Sequence, residues 1–331
     1  MIYPESSQIL GMIKEASRIV LNCHASPDAD SVGGALATRE VLVGMGKEVA
    51  VICPHDIPHN LRFLPQAEKI LTVDFHKYHF TAHDLMIALD SGNWRRVSGA
   101  KDTPFPDIPV IVIDHHVSND NYGRVNLVVP EVSSNCELLC RVFEDWGVSV
   151  DTKTLSTSLL AGIFGDTKLL RTHETTKETF GVVAKLVHLA DREEIVFNLY
   201  QSFPETEVCF WSKLLDSFSV DKKHRFALMH VKVEDLEECG TIGDRGEAAN
   251  MFAGNIKGTD FGMVVTEEHE GLVAVSLRSR TGLDVSKIAL DLGGGGHKLA
   301  AAGRVEGLQF DQALEKILEV AKNHAQNKKR D

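Results

Sequence analysis

The sequence predicts an α/β protein: a mostly parallel sheet flanked by helices, followed by a smaller mixed α/β domain. Three observations predict it. Short apolar runs alternate with helix-periodic segments over residues 1–190. A helical stretch then leads into a second set of strand-like runs. The apolar runs of the first set end in Asp and His, at the strand ends where open α/β sheets bind ligands.

The elements follow in order. Residues 19–23 read as a buried strand, and 31–45 as a helix rich in small residues that stops at Gly46. Residues 49–53 form a second strand. Residues 85–89 and 110–113 are apolar runs bounded by turn residues, and 134–146, 154–164 and 176–190 carry helical spacing. Residues 191–217, broken at Pro204, read as a helical connector, which leaves 218–331 as the second domain. That domain shows a strand at 226–231, a helix near 246–252, a strand pair at 262–266 and 273–277, and helices at 285–290 and 310–324.

Composition narrows the function. The chain has 331 residues, 47 acidic and 35 basic, for a formal net charge of -12. That opposes a protein that coats long duplex nucleic acid through a basic face, yet permits a short anionic substrate held by bound cations. No apolar run approaches the ~18 residues of a membrane span, and the first residues lack signal-peptide character. A cytoplasmic, membrane-free location is the expectation. The six cysteines contain no C-x-x-C pair, so they are expected as buried thiols in a reducing compartment. The sequence leaves the oligomeric state open, a homodimer included.

Residues 19–23 lead into His24, Asp28 and Asp30; 85–89 into Asp90; 110–113 into Asp114, His115 and His116. Asp166 follows the apolar stretch 159–164. Each has a plain alternative: Asp30 or Ser31 as a helix cap, Asp90 as the start of an Asx turn before Ser91-Gly92. Together they place carboxylates and imidazoles at one sheet edge. Pro27 opposes a helix through His24 and Asp28, so a loop gathers the three side chains of H-x3-D-x-D. The helix from Ser31 would aim its positive end there, and Gly33 and Gly34 would let it approach the sheet closely. Crowded carboxylates repel unless cations balance them. Oxygen ligands mixed with imidazole suit two Mn²⁺ ions, and two ions roughly 3.5–4 Å apart are a standard device for phosphoryl hydrolysis. His115 and His116 point apart if the chain is extended there, one toward metal and the other toward substrate or into packing.

These motifs, with Gly165-Asp166-Thr167, resemble the DHH phosphoesterase superfamily. Arg278-Ser-Arg280 and Gly293-Gly-Gly-Gly-His297 through Gly303 resemble its DHHA1 domain. The likeness covers nearly the whole chain and is greatest to the short, two-domain subfamily of nanoRNases and pAp phosphatases. It implies a first metal on His24, Asp28 and Asp90, and a second on Asp30, Asp90, His115 and Asp166, with Asp90 bridging. It further implies that His116 contacts the scissile phosphate and Asp114 orients a histidine. Substrate would meet Arg278 and Arg280, which share a face if both lie on one strand, and Gly295, Gly296 and His297, whose backbone N–H groups would form an anion nest. Ser134 would lie near substrate, or cap the helix it begins. Where relatives often have glycine and an aromatic residue after the Gly-Asp-Thr, this chain has Lys168 and Leu170, which bears on substrate preference.

The implied activity is metal-dependent hydrolysis of short RNA and of 3′-phosphoadenosine 5′-phosphate, the second domain closing over the substrate. Alternatives are an enzyme acting on cyclic-dinucleotide products, pyrophosphate or polyphosphate, and, from another class, a nucleotide sensor without turnover. The full ligand set argues against the sensor.

Overall fold

The computed structural model describes residues 3–240 and 243–327. The chain divides into two compact units, Met1–Ser202 and Phe203–Asp331.

The first unit opens with α1 (Pro4–Glu15) and is built on a six-stranded sheet of β1 (Arg18–Asn22), β2 (Glu48–Cys53), β3 (Ile70–Thr72), β4 (Leu85–Leu89), β5 (Val110–Asp114) and β6 (Val125–Val128). Every pairing is parallel and the order is β3-β2-β1-β4-β5-β6. Succession reverses between β1 and β4, which opens a crevice at their carboxyl ends. The strands are apolar on both faces because both are covered. Ile19, Leu21, Ile87 and Ile113 pack on one side with α1, α2 (Ala29–Gly44), α4 (Asn135–Asp145) and α5 (Lys153–Thr167). Val20, Met86, Ala88 and Val112 point the other way, onto Phe75, Phe80 and Val97 of α3 (Trp94–Ser98). The unit closes with α6 (Lys177–Leu186) and α7 (Arg192–Val196).

The glycines of α2 act differently from expectation. A Cβ at Gly33 would collide with the carbonyl oxygen of Ser158 in α5, and one at Gly34 would sit 3.1 Å from Leu139 of α4. The close approach is helix on helix, not helix on sheet.

The second unit contains α8 (Glu205–Asp216), β7 (Ser219–Asp221), β8 (Phe226–Val231), α9 (Arg245–Met251), β9 (Phe261–His269), β10 (Leu272–Ser279), α10 (Val285–Asp291), β11 (Gly295–Gly296), β12 (Ala300–Glu306) and α11 (Phe310–Asn327). Its sheet runs β11-β12-β10-β9-β8-β7, with β8–β9 parallel and the other pairs antiparallel. Alternation along the strands sends Phe226, Met263 and Val275 to α10 and α11, and Met229, Val231 and Val264 to α8 and α9. The stretch 191–217, expected as a connector, is thus shared: α7 lies in the first unit, while α8 packs Phe210, Trp211 and Leu214 into the core of the second.

The expectation of uniformly free thiols fails at one place. Cys209 of α8 and Cys239 are joined in a disulfide across 30 positions, whereas Cys23, Cys53, Cys136 and Cys140 are free and buried. Spacing in sequence carries no sign of that pair, because helix packing brings its members together.

Candidate metal centre

β1, β4 and β5 deliver the first three ligand segments to one edge of the sheet. The chain leaves β1 through Cys23, and His24 follows, anchored by its backbone N–H to Ser31 Oγ at 2.9 Å. Asp28 is the N-cap of α2: its Oδ1 accepts from Ser31 N at 3.0 Å. The cap is therefore Asp28 rather than Asp30 or Ser31. Capping and ligation do not exclude each other, since Asp28 Oδ2 lies 3.4 Å from His24 Nε2.

Asp90 is the first residue beyond β4. Its φ of 49 is left-handed, a conformation that costs energy for a residue with a side chain and recurs at functional sites. Its carboxylate stands between two imidazoles, with Oδ2 3.3 Å from His24 Nε2 and Oδ1 3.4 Å from His115 Nε2. Asp90 Oδ1 is buried and accepts no hydrogen bond.

β5 ends at Asp114, so side-chain alternation ends there as well. As a result His115 and His116 do not point apart. Their rings lie 4.6 Å apart and both face Asp90. Asp114, fully buried, accepts from His115 N at 2.9 Å and from Asn119 Nδ2 at 2.5 Å, and its Oδ1 is 2.8 Å from His116 Nδ1. Asp166 comes from the last turn of α5, not from a strand, and its Oδ2 lies 3.4 Å from His115 Nε2. Asp30, also fully buried, accepts from the backbone N–H groups of Asn135 (2.6 Å) and Cys136 (2.8 Å) at the start of α4. Gly162 makes room for it: a Cβ there would lie 2.7 Å from Asp30 Oδ1 and would collide with Cys136 Sγ.

Ligand atoms therefore gather in three overlapping groups, each within 4.8 Å: His24, Asp28 and Asp90; Asp30, His115 and Asp166; Asp90, His115 and His116. The donors are imidazole and carboxylate, a set that fits hard divalent cations. The electrostatics agree. Burial, reinforced by the charge of Asp90, pushes Asp30 up to about 7. Burial and neighbouring Asp30 likewise raise Asp166 well above the carboxylate range. Burial also opposes charge on His24, but Asp28 and Asp90 outweigh it and bring the ring to about 10. Against burial, His24 in turn holds Asp28 below the usual carboxylate range, and His115 with His24 does the same for Asp90, so protonated imidazoles stand where cations would balance these carboxylates.

The expected second-unit residues fare differently. β10 ends at Ser279, so Arg280 lies beyond the strand and does not share a face with Arg278. Arg278 donates to Asn250 Oδ1 at 2.5 Å, Leu277 O at 2.9 Å and Gly246 O at 3.2 Å; Arg280 donates to Thr259 O at 3.4 Å. The glycine run does not form the expected nest. Gly294 N donates to Ala289 O and His297 N to Ala300 O, both at 2.8 Å, while Gly295 and Gly296 pair with Ala302 and Ala301. Glycine is needed there because a Cβ at Gly294 would meet the backbone of β12. Ser134 is buried and caps α4 through Glu137 N at 3.0 Å.

The geometry agrees with what the chain resembles. The DHH family, N-terminal domain, matches residues 18–163, and the DHHA1 domain matches residues 230–323. The chain is 30% identical over 309 residues to the bifunctional oligoribonuclease and PAP phosphatase of Thermus thermophilus, covering 92% of this chain and 89% of that protein. The chain belongs to the DHH phosphoesterase family. The protein of the same description from Bacillus subtilis is 24% identical, with 96% and 99% covered. An exopolyphosphatase-related protein from Bacteroides fragilis superposes with a TM-score of 0.86 at 25% identity, covering 97% of both chains. As a member of this family the chain is a hydrolase of phosphoester bonds.

Arg96 and Asn119 escaped the sequence reading. Arg96 Nη2 lies 3.2 Å from His24 Nε2. The available signal was Asn93, an N-cap three residues ahead that starts the short α3 and accepts from Arg96 N.

Proposed function

We propose that this chain hydrolyses short RNA oligonucleotides and 3′-phosphoadenosine 5′-phosphate to mononucleotides with two Mn²⁺ ions. One observation carries the reading: the two oxygens of Asp90 face different ligand groups, Oδ2 toward His24 and Oδ1 toward His115. A carboxylate so placed suits a bridge. We assign the first ion to His24, Asp28 and Asp90 and the second to Asp30, Asp90, His115 and Asp166.

Bound there, the ions supply Lewis acidity and an activated water for attack on phosphorus. The protein's own groups do the rest. Asp114, 2.8 Å from His116 Nδ1, fixes that ring and leaves Nε2 to meet a phosphate oxygen. Its hydrogen bond to Asp114 places His116 to donate a hydrogen bond to charge developing on that oxygen. On the resemblance, the substrate's terminal phosphate or base we assign to Arg278 and Arg280, with the Gly295-Gly296-His297 turn beside them. We place the activity in the cytoplasm, on substrates free in solution, with a homodimer compatible. Polyphosphate or pyrophosphate is the second reading, resting on the likeness to the exopolyphosphatase-related protein.

The test is turnover by Mn²⁺-loaded protein on labelled RNA of two to about twenty nucleotides, on 3′-phosphoadenosine 5′-phosphate, pyrophosphate and polyphosphate. Loss of the shortest RNAs, abolished by Asp90→Ala and by chelator, is the expected result. Activity confined to pyrophosphate or polyphosphate would overturn the RNA assignment. No turnover by metal-loaded protein would favour the sensor.

A further inference from the structure

Arg96 is a feature of the site that the ligand scheme leaves unexplained. Its backbone is pinned from both sides: the N–H donates to Asn93 Oδ1 at 2.9 Å, and the carbonyl accepts from Ala25 N at 2.8 Å. α3 and the loop that follows His24 are thereby stitched together. The residue is exposed, yet its Nη2 reaches His24 Nε2, whose ring is almost completely buried.

The two partners cannot keep that contact in the loaded site. His24 Nδ1 lies 3.1 Å from Ala25 O, which leaves Nε2 as the nitrogen that faces the carboxylates and any bound ion. Asp28 and Asp90 crowd the same nitrogen. A metal ion on Nε2 and a guanidinium 3.2 Å from the same nitrogen exclude each other, since both are cations and claim one position. When an ion takes it, Arg96 must leave, and its pinned backbone confines it to the rim of the same site. Charge favours what it meets there. Asp28, Asp30, Asp90, Asp114 and Asp166 crowd the site, so a guanidinium at its rim offsets part of the repulsion that an anionic substrate meets. A guanidinium stays charged at every relevant pH and binds two phosphate oxygens in one plane.

We infer that Arg96 binds the substrate's phosphate beside the first metal position, released to do so when an ion displaces it from His24. This rests on the two-metal reading above and adds the residue that couples metal loading to capture of the anion.

The test compares Arg96→Met and Arg96→Lys with Arg95→Met, which removes a charge from the same helix while leaving the His24 contact in place. Three quantities are read: Mn²⁺ affinity of the metal-free protein by calorimetry, binding of 5′-AMP to the Mn²⁺-saturated protein, and KM and kcat on a dinucleotide. Arg96→Met should weaken 5′-AMP and raise KM by roughly 10–100-fold, the worth of a hydrogen bond to a charged group. It should leave kcat within a few-fold and Mn²⁺ affinity equal or higher, because a competing cation is gone. Arg96→Lys should recover part of the loss, and Arg95→Met should change little. Weaker Mn²⁺ binding with unchanged 5′-AMP affinity would overturn the inference and make Arg96 a residue that positions His24. Wild-type protein that binds 5′-AMP through Arg96 but turns over no RNA would sink the proposed activity and leave the anion contact standing.

Discussion

Asp114 and His116 are joined at 2.8 Å, carboxylate Oδ1 to imidazole Nδ1, with the carboxylate fully buried and held by Asn119 on its other oxygen. The pair fixes which nitrogen of His116 faces outward. Asp114→Ala should lower kcat by about 10–100-fold, the usual effect of losing a partner that orients a histidine. Steady-state kinetics with metal content measured in parallel checks this. The metal content should hold, because Asp114 belongs to none of the three ligand groups.

Lys168, Leu169 and Leu170 all have left-handed backbones, with φ of 50, 59 and 62. Thr167 locks the turn, its Oγ1 donating to Ile163 O at 2.5 Å and accepting from Leu170 N at 3.0 Å. A glycine at position 168 would avoid the strain that a Cβ brings to a left-handed backbone. Lys168→Gly should leave stability unchanged or raise it by up to about 1 kcal/mol. Chemical denaturation reads the sign; a loss above that size would show that the lysine side chain contributes to the turn.

Gly162 lies where Asp30, Cys136 and α5 converge. Gly162→Ala should destabilise the first unit by about 1–3 kcal/mol through overpacking and weaken metal binding by displacing Asp30. Gly181, with open space around its Cβ position, should accept alanine without loss and provides the control.

Without metal, stability should fall as pH rises. Asp30 is raised from 3.8 to about 7 and His24 from 6.5 to about 10, so each holds a proton more tightly folded than unfolded. Their contributions are complete below the unfolded values and are lost as pH climbs through about 7 and about 10. Divalent cation replaces those protons. Thermal melts in chelator and in Mn²⁺ should therefore diverge as pH goes from 5 to 9; parallel curves would contradict the cluster's electrostatics.

Reduction of Cys209–Cys239 should destabilise the second unit by about 3–4 kcal/mol, from the chain entropy of a 30-residue separation. Melts with and without reductant check it, and Cys209→Ser should reproduce the reduced value. The first unit, whose cysteines are all free, should not respond.

The sequence by itself determined the parallel α/β core, because β1, β2, β4 and β5 are buried on both faces and must be written as apolar runs. It also placed His24, Asp28, Asp90 and Asp114 at the ends of those runs, since a strand end is a local property. Elements with little burial left no such trace: β3 has three residues, none fully buried. The tertiary structure alone decided the rest. That Gly33 and Gly162 serve helix–helix contact, that Cys209 meets Cys239, and that Arg96 reaches His24 across 72 positions all depend on which elements pack together. Periodicity records what a segment buries and not what it is buried against.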